Sequence, residues 1–187
     1  RIAAKDQLAL AQRELAQALD DVDRPHVAHV GRMIAAKHSS VGANLPHPIH
    51  GLPVRTCEAA LEALAAAGVD VRARSPWYRT APVPASGQPD FINGVVEVET
   101  GLDPAELLSL LHRIEAEFGR VRGRPNAART LDLDLLATGA AVRDGPDAPI
   151  LPHPRLHERA FVLLPLRDVA PGWRHPARAG ARRRRRA

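Results

Sequence analysis

The sequence predicts a two-layer sandwich of helices and strands, α/β or α+β in class. Three observations predict it. Strand-like runs at 69–74, 91–100 and 131–137 alternate with runs of helical spacing. Pro- and Gly-rich stretches at 41–55, 81–90 and 144–154 separate them as long loops. The chain has 187 residues, 45% of them hydrophobic, which suits one domain with a real core and argues against wholesale disorder.

The elements follow in order. Leu8, Ala11, Leu15, Ala18 and Leu19 recur at helical spacing and predict a helix over 6–20. Residues 21–40 are weakly patterned and rich in His and Arg, and read as a linker; 34–40 in particular read poorly as a central buried strand. After the 41–55 loop, Thr56 is the expected N-cap of a helix that stops at Gly68. Residues 69–74 alternate as a half-buried strand does, and 91–100 is the clearest strand. Asp103, Pro104 and Glu106 supply N-cap, N1 and N3 of a helix running to Phe118 and ending at Gly119. A basic loop, 120–130, leads to the apolar strand 131–137, and an apolar run closes the pattern at 161–166.

Charge narrows the function. The chain carries 26 Lys and Arg against 21 Asp and Glu, a formal net of +5. Seven arginines lie beyond residue 173 and no acid beyond Asp168, which leaves 19 basic and 21 acidic side chains before that point. The excess is a terminal run, where a nucleic-acid surface needs charge clustered on a folded face. The lone Cys57 excludes an internal disulfide and points to a reducing cytoplasm; at the start of a helix, with no partner, it reads as structural. No apolar run is long enough to span a membrane, and no signal-peptide pattern is expected at the start.

The strongest chemical signal is Arg129-Thr130-Leu131-Asp132-Leu133-Asp134. In a strand, residues two apart share a face, so Asp132 and Asp134 lie side by side while Leu131, Leu133 and Leu135 enter the core. Carboxylates about 7 Å apart along a strand repel unless a cation sits between them, a role that suits Mg²⁺. A solvated strand face with arginine partners is the plain alternative. Arg120, Arg122, Arg124 and Arg129 lie just before this strand. Arginine forks match phosphate oxygens, so the combination is what phosphoryl transfer uses; a basic loop neutralised by Asp132, Asp134 and Glu115 is the competing reading. No P-loop is present. His47/His50 and His153/His157 have spacings that zinc sites use, but prolines break both pairs and nothing completes either set, so His153 reads better as a donor to phosphate.

Six ordered segments then resemble the 6-hydroxymethyl-7,8-dihydropterin pyrophosphokinase family of folate biosynthesis, over about residues 42–173. They are Gly42-Ala43-Asn44-Leu45; Ser75-Pro76-Trp77-Tyr78-Arg79-Thr80 with Pro82; Gln88-Pro89-Asp90-Phe91-Ile92-Asn93; Ile114-Glu115 with Gly119-Arg120-Val121-Arg122; Arg129 to Asp134; and Leu151-Pro152-His153-Pro154-Arg155 with Arg159-Ala160-Phe161-Val162. The resemblance implies a ferredoxin-like α+β sandwich with a mostly antiparallel sheet and long active-site loops. It implies a Mg-dependent diphosphokinase that moves pyrophosphate from ATP to the pterin hydroxymethyl group and releases AMP.

It also implies roles. Asp132 and Asp134 would hold two Mg²⁺. Arg120, Arg122 and Arg129 would serve catalysis and, with Glu115, Ile150, His153 and Arg159, bind ATP. Thr80, Val83, Phe91, Asn93 and Phe161 would form the pterin pocket, although core packing is the ordinary reading of the two phenylalanines. A monomer is expected, with ATP and pterin as its partners and no specific nucleic acid. The domains are then an N-terminal extension (1–40), the pyrophosphokinase domain (41–173) and an Arg-rich tail (174–187) expected to be disordered. The sequence departs from the family in the helix at 6–20, in the poor strand at 34–40, and in the loop before Arg129, which has Pro125 and Asn126 but no tryptophan. Two alternatives follow: an inactive homologue with a disrupted first strand, and nucleic-acid binding through the Arg tail.

Overall fold

The computed structural model describes residues 36–121, 126–145 and 149–176. The expected helix at 6–20, Arg122 and nearly all of the Arg-rich tail lie outside them. The described chain runs β1 (Lys37–Ala43), α1 (Pro53–Ala66), β2 (Asp70–Arg74), β3 (Tyr78–Thr80), β4 (Phe91–Glu99), α2 (Pro104–Glu117), β5 (Asp132–Thr138) and α3 (Ala160–Val169). The strands form one sheet in the order β2-β4-β1-β5, with β3 beside β4. Its pairings are antiparallel. This is an α+β fold. Taking β2 and β3 as one interrupted edge strand, the order is the split βαβ arrangement.

Alternation sorts the side chains of each strand between two layers. One face of the sheet presents Val41, Ala43, Val96, Val98, Leu131, Leu133 and Leu135 to Cys57, Ala60 and Leu64 of α1 and to Leu107, Leu111 and Ile114 of α2. Each fully buried leucine there contributes roughly 2 kcal/mol of apolar burial. The opposite face is shared. Val95 and Leu136 pack under Val162 and Leu166 of α3. Toward the other end of the same face, α3 gives way to Phe91, Asn93, Gly42, Asp132 and Asp134.

The helix boundaries have local causes. The Asp103 side chain accepts the Ala105 and Glu106 N–H groups, and Glu106 returns a bond to Asp103 N, completing the capping box at α2. Gly119 follows with φ +73°, a conformation that favours glycine. At α1 the expected cap is wrong. The helix begins at Pro53 with Leu52 in the cap position, and Thr56 lies buried in the first turn with its hydroxyl on the Leu52 carbonyl at 3.4 Å. Pro53 at N1 starts the helix without a side-chain cap.

The larger correction concerns β1. Residues 37–40, expected to be linker, form the first half of the central strand, paired with β4 on one side and β5 on the other. The strand carries Lys37, His38 and Ser39 in buried positions. Two of these have partners that a sequence pattern does not reveal: Lys37 Nζ donates to the Thr100 carbonyl at 2.9 Å, and His38 Nε2 lies 3.4 Å from Glu97 Oε2. The 41–55 loop shortens accordingly, since Val41 to Ala43 belong to β1 and Pro53 to Arg55 to α1. The short strand β3 was not expected, and the apolar run at 161–166 is helical despite Pro165.

Candidate active site

The site grows out of three adjacent strands. β5 places Asp132 and Asp134 on the sheet face that α3 leaves open, with Leu131, Leu133 and Leu135 buried on the other. Each carboxylate is held by arginine. Asp132 meets Arg120 at 3.0 Å through Oδ1 and Arg129 at 2.7 Å through Oδ2. Asp134 Oδ2 lies 3.5 Å from Arg159. All of these side chains are half-buried, so solvent screens the pairs less than it does bridges on the open surface.

Two of the arginines also stand on aromatic rings. Arg129 Cζ lies 5.7 Å from the centre of Phe91, and Arg159 Cζ lies 5.6 Å from that of Phe161. The structure thereby links each aspartate, through one guanidinium, to one aromatic ring. Beside Phe91, Asn93 Nδ2 donates to Thr80 Oγ1 at 2.7 Å across the β3–β4 pair. Val83 and Ile150 are exposed, the first on the long 81–90 loop. Phe91 and Phe161 are half-buried, short of full core packing.

His153 sits near the second pair. Its Nδ1 accepts the Arg155 N–H at 3.2 Å, and its backbone N–H donates to the Leu136 carbonyl at 2.7 Å. Burial lowers its pKa; Arg159 and Arg155 lower it further, against the pull of Asp134 and Asp132. A neutral ring whose Nδ1 accepts must carry its proton on Nε2, so His153 is a donor through that atom. Burial also lowers the Arg159 pKa, with Asp134 opposing.

Glu115 is buried, and its Oε1 accepts the Leu133 N–H at 2.9 Å. β5 is an edge strand, so this carboxylate serves an amide that no neighbouring strand reaches. Arg120 follows from the same helix end: its backbone N–H bonds the Glu115 carbonyl and its guanidinium bonds the Leu131 carbonyl at 3.0 Å.

One residue was quoted in a motif but given no role. Asn44 is buried and clamps three segments. Its Oδ1 accepts the Arg129 N–H at 2.8 Å, its Nδ2 reaches Gln88 Oε1 at 3.3 Å and the Pro89 carbonyl at 3.2 Å, and its own N–H bonds the Arg129 carbonyl. The available signal was its place in the Gly42-Ala43-Asn44-Leu45 segment; its burial at the end of β1, which obliges the amide to find partners, shows only in the structure.

The His47/His50 pair behaves as a structural group. His47 Nδ1 accepts the Ile49 and His50 N–H groups, and both rings lie against Phe118. Burial pushes the Cys57 thiol up to about 12, as its structural reading requires. Among the described residues no group of three or more His, Cys, Asp or Glu is placed to hold a metal. No described helix is long and apolar enough to cross a membrane.

The family model of 7,8-dihydro-6-hydroxymethylpterin-pyrophosphokinase matches residues 38–171, a span that includes every site residue above. The chain belongs to this family. It is similar to the 2-amino-4-hydroxy-6-hydroxymethyldihydropteridine pyrophosphokinase of Synechocystis, 40% identical over 136 residues, covering 73% of this chain and 67% of that one. The Pseudomonas aeruginosa protein of the same name is 40% identical over 145 residues (77% and 86% of the two chains), and that of Haemophilus influenzae 39% over 139 (74% and 82%). The match begins at His38, inside β1, which places the strand that had read as linker within the pyrophosphokinase core.

Proposed function

We propose that this pyrophosphokinase-family chain transfers the β,γ-pyrophosphoryl unit of ATP to 6-hydroxymethyl-7,8-dihydropterin, a step of folate biosynthesis. The observation that carries the reading is the single continuous family match across all the elements that build the site. In the reaction the pterin hydroxyl oxygen attacks the β-phosphorus. The bond from that phosphorus to the α,β-bridging oxygen breaks, AMP leaves with its electron pair, and the hydroxyl proton passes to water.

The residues divide the work. Phe91 and Phe161 receive the faces of the pterin ring, Asn93 and Thr80 its polar edge, and Val83 closes on it from the 81–90 loop. Arg120, Arg122, Arg129, Arg159 and the Nε2–H of His153 bind the triphosphate, and Ile150 covers the nucleotide from its exposed position. Glu115 contributes on the nucleotide side through the strand it anchors. Positioning two substrates for in-line attack supplies much of the rate, because the arginines arrive with fixed charge and need no proton transfer.

Asp132 and Asp134 fit a hard divalent cation. They are oxygen donors on one face, and each already balances positive charge in the form of guanidinium. They would hold Mg²⁺, two ions in our reading, with phosphate oxygens and water completing the shell. Bound there, Mg²⁺ would supply charge neutralisation at the phosphates and Lewis-acid polarisation of the attacking hydroxyl. The guanidiniums now on these carboxylates can exchange that partner for phosphate oxygens, since arginine matches both bidentately. The single buried thiol suits a cytoplasmic enzyme. The reading that a disrupted first strand leaves an inactive homologue loses its premise, because β1 is the central strand.

The test is product analysis. Incubated with ATP, Mg²⁺ and 6-hydroxymethyl-7,8-dihydropterin, the protein should form AMP and pterin diphosphate in equal amounts. ADP release independent of pterin, or no AMP from folded protein, would refute the assignment.

A further inference from the structure

We infer that Gly42 is a positioning residue for pterin specificity, because its missing side chain is what lets the Asn93 amide stand over the middle of the sheet. The inference rests on the reading of Thr80, Phe91 and Asn93 as the pterin pocket. Gly42 lies in the central strand, opposite Asn93 of β4 on one side and Asp132 of β5 on the other. Residues opposed across a sheet share a face, so Gly42 forms the floor between the pocket amide and the first carboxylate.

Two kinds of glycine can be told apart here. Gly51, Gly68 and Gly119 have positive φ and are needed for their backbone shape; Gly42 lies in ordinary strand. Its reason is space. A Cβ built at Gly42 falls 2.7 Å from Asn93 Oδ1, well inside contact distance, while the next atoms, the Ile92 carbonyl oxygen and Asn93 Cγ, stand at 3.6 and 3.8 Å. Only the far end of one side chain conflicts. Gly94 on the same sheet differs, since a Cβ there would meet the indole ring of Trp77 at 2.7 and 2.8 Å and disturb packed core.

Gly42→Ala should therefore leave the sheet in place and move the Asn93 amide. That movement breaks the 2.7 Å bond from Asn93 Nδ2 to Thr80 Oγ1, so both polar groups of the pocket lose their arrangement together. A ring read by hydrogen bonds is then left with unpaired groups in a half-buried site, whereas the arginines and His153 on the nucleotide side are untouched.

The experiment is a double-mutant cycle on Gly42→Ala and Asn93→Ala. Pterin Kd is measured by calorimetry with a non-hydrolysable ATP analogue present, alongside KM for both substrates and thermal midpoints. Gly42→Ala should raise the pterin Kd and KM by about tenfold or more, with the KM for ATP within about twofold. Asn93→Ala should weaken pterin binding similarly, and the double variant should be no worse than Asn93→Ala alone, since removing Oδ1 makes room for the methyl group. If Gly42→Ala fails to fold, the double variant should recover the fold. Additive losses, an unchanged pterin Kd in Gly42→Ala, or a double variant that still fails to fold would overturn the inference. An Asn93→Ala enzyme that binds pterin normally would instead bring down the pocket reading on which it rests.

Discussion

Among the described residues, Asp132 carries two guanidiniums and Asp134 one, so the two carboxylates sit at the centre of a charge network that also touches the Phe91 and Phe161 rings. Their pairing on one face needs only the two-residue period of a strand, which is why Arg129-Thr130-Leu131-Asp132-Leu133-Asp134 could be read without a structure. The partners were legible to different degrees. Arg129 is three residues away from Asp132 and Arg120 lies in the preceding loop, so both are near in sequence. The Arg159–Asp134 contact depends on where α3 lands on the sheet, and no local pattern encodes that. The plain expectation, a strand face balanced by arginines, and the catalytic one describe the same atoms, because the arginines that neutralise the carboxylates are those we propose for phosphate. We predict that Asp132→Asn and Asp134→Asn each lower kcat on the order of a hundredfold or more, since charge stabilisation at the phosphates is worth several kcal/mol. Both variants should keep a cooperative thermal transition. Measured kcat near that of the parent in either would sink the assignment.

At the scale of elements, the strand β5 owes its position to α2. Leu133 N–H sits on the free edge of the sheet, and the buried Glu115 carboxylate takes the place of a missing strand. An unpartnered buried amide costs about 1–3 kcal/mol, so Glu115→Ala should lose stability of about that size, and the Leu133 amide should exchange faster with solvent. Glu115→Gln keeps an acceptor oxygen at the same reach and should restore most of the protection. Equal exchange in all three proteins would remove the anchoring role. The same scale explains what the sequence concealed. β1 lacks the apolar run expected of a central strand, because Lys37 donates to the Thr100 carbonyl and His38 has Glu97 beside it, on β4 or just beyond it. Burial of polar residues is possible wherever tertiary partners exist, and those partners lie about sixty residues away. By contrast, the α2 boundaries were readable because Asp103, Glu106 and Gly119 act within four residues of the helix ends.

For the whole molecule, stability and pH are coupled through buried imidazoles. His38 is enclosed in the central strand and His153 beside the site. Burial lowers the pKa of both; Glu97 pulls that of His38 upward, and Asp134 that of His153, without overcoming burial. The unfolded chain takes up protons on these rings near their ordinary value of about 6.5, and the folded chain only at lower pH. Unfolding therefore binds protons in that window. Above it both states are neutral and the rings add no slope. As pH falls below about 6.5 stability should decline, and the decline from these two groups should level off once the folded rings also protonate. His38 is the better probe, since its charged neighbour is Glu97 and not the carboxylates and arginines of the proposed site. Urea denaturation of the parent and of His38→Gln at pH 7.5 and pH 5.5 would measure it. The parent should lose more stability between the two conditions than the variant, whatever the variant's absolute stability at pH 7.5. Identical losses in both proteins would mean that the imidazole in β1 titrates alike in the folded and unfolded chains, and that burial of this strand does not set the acid limit of the fold.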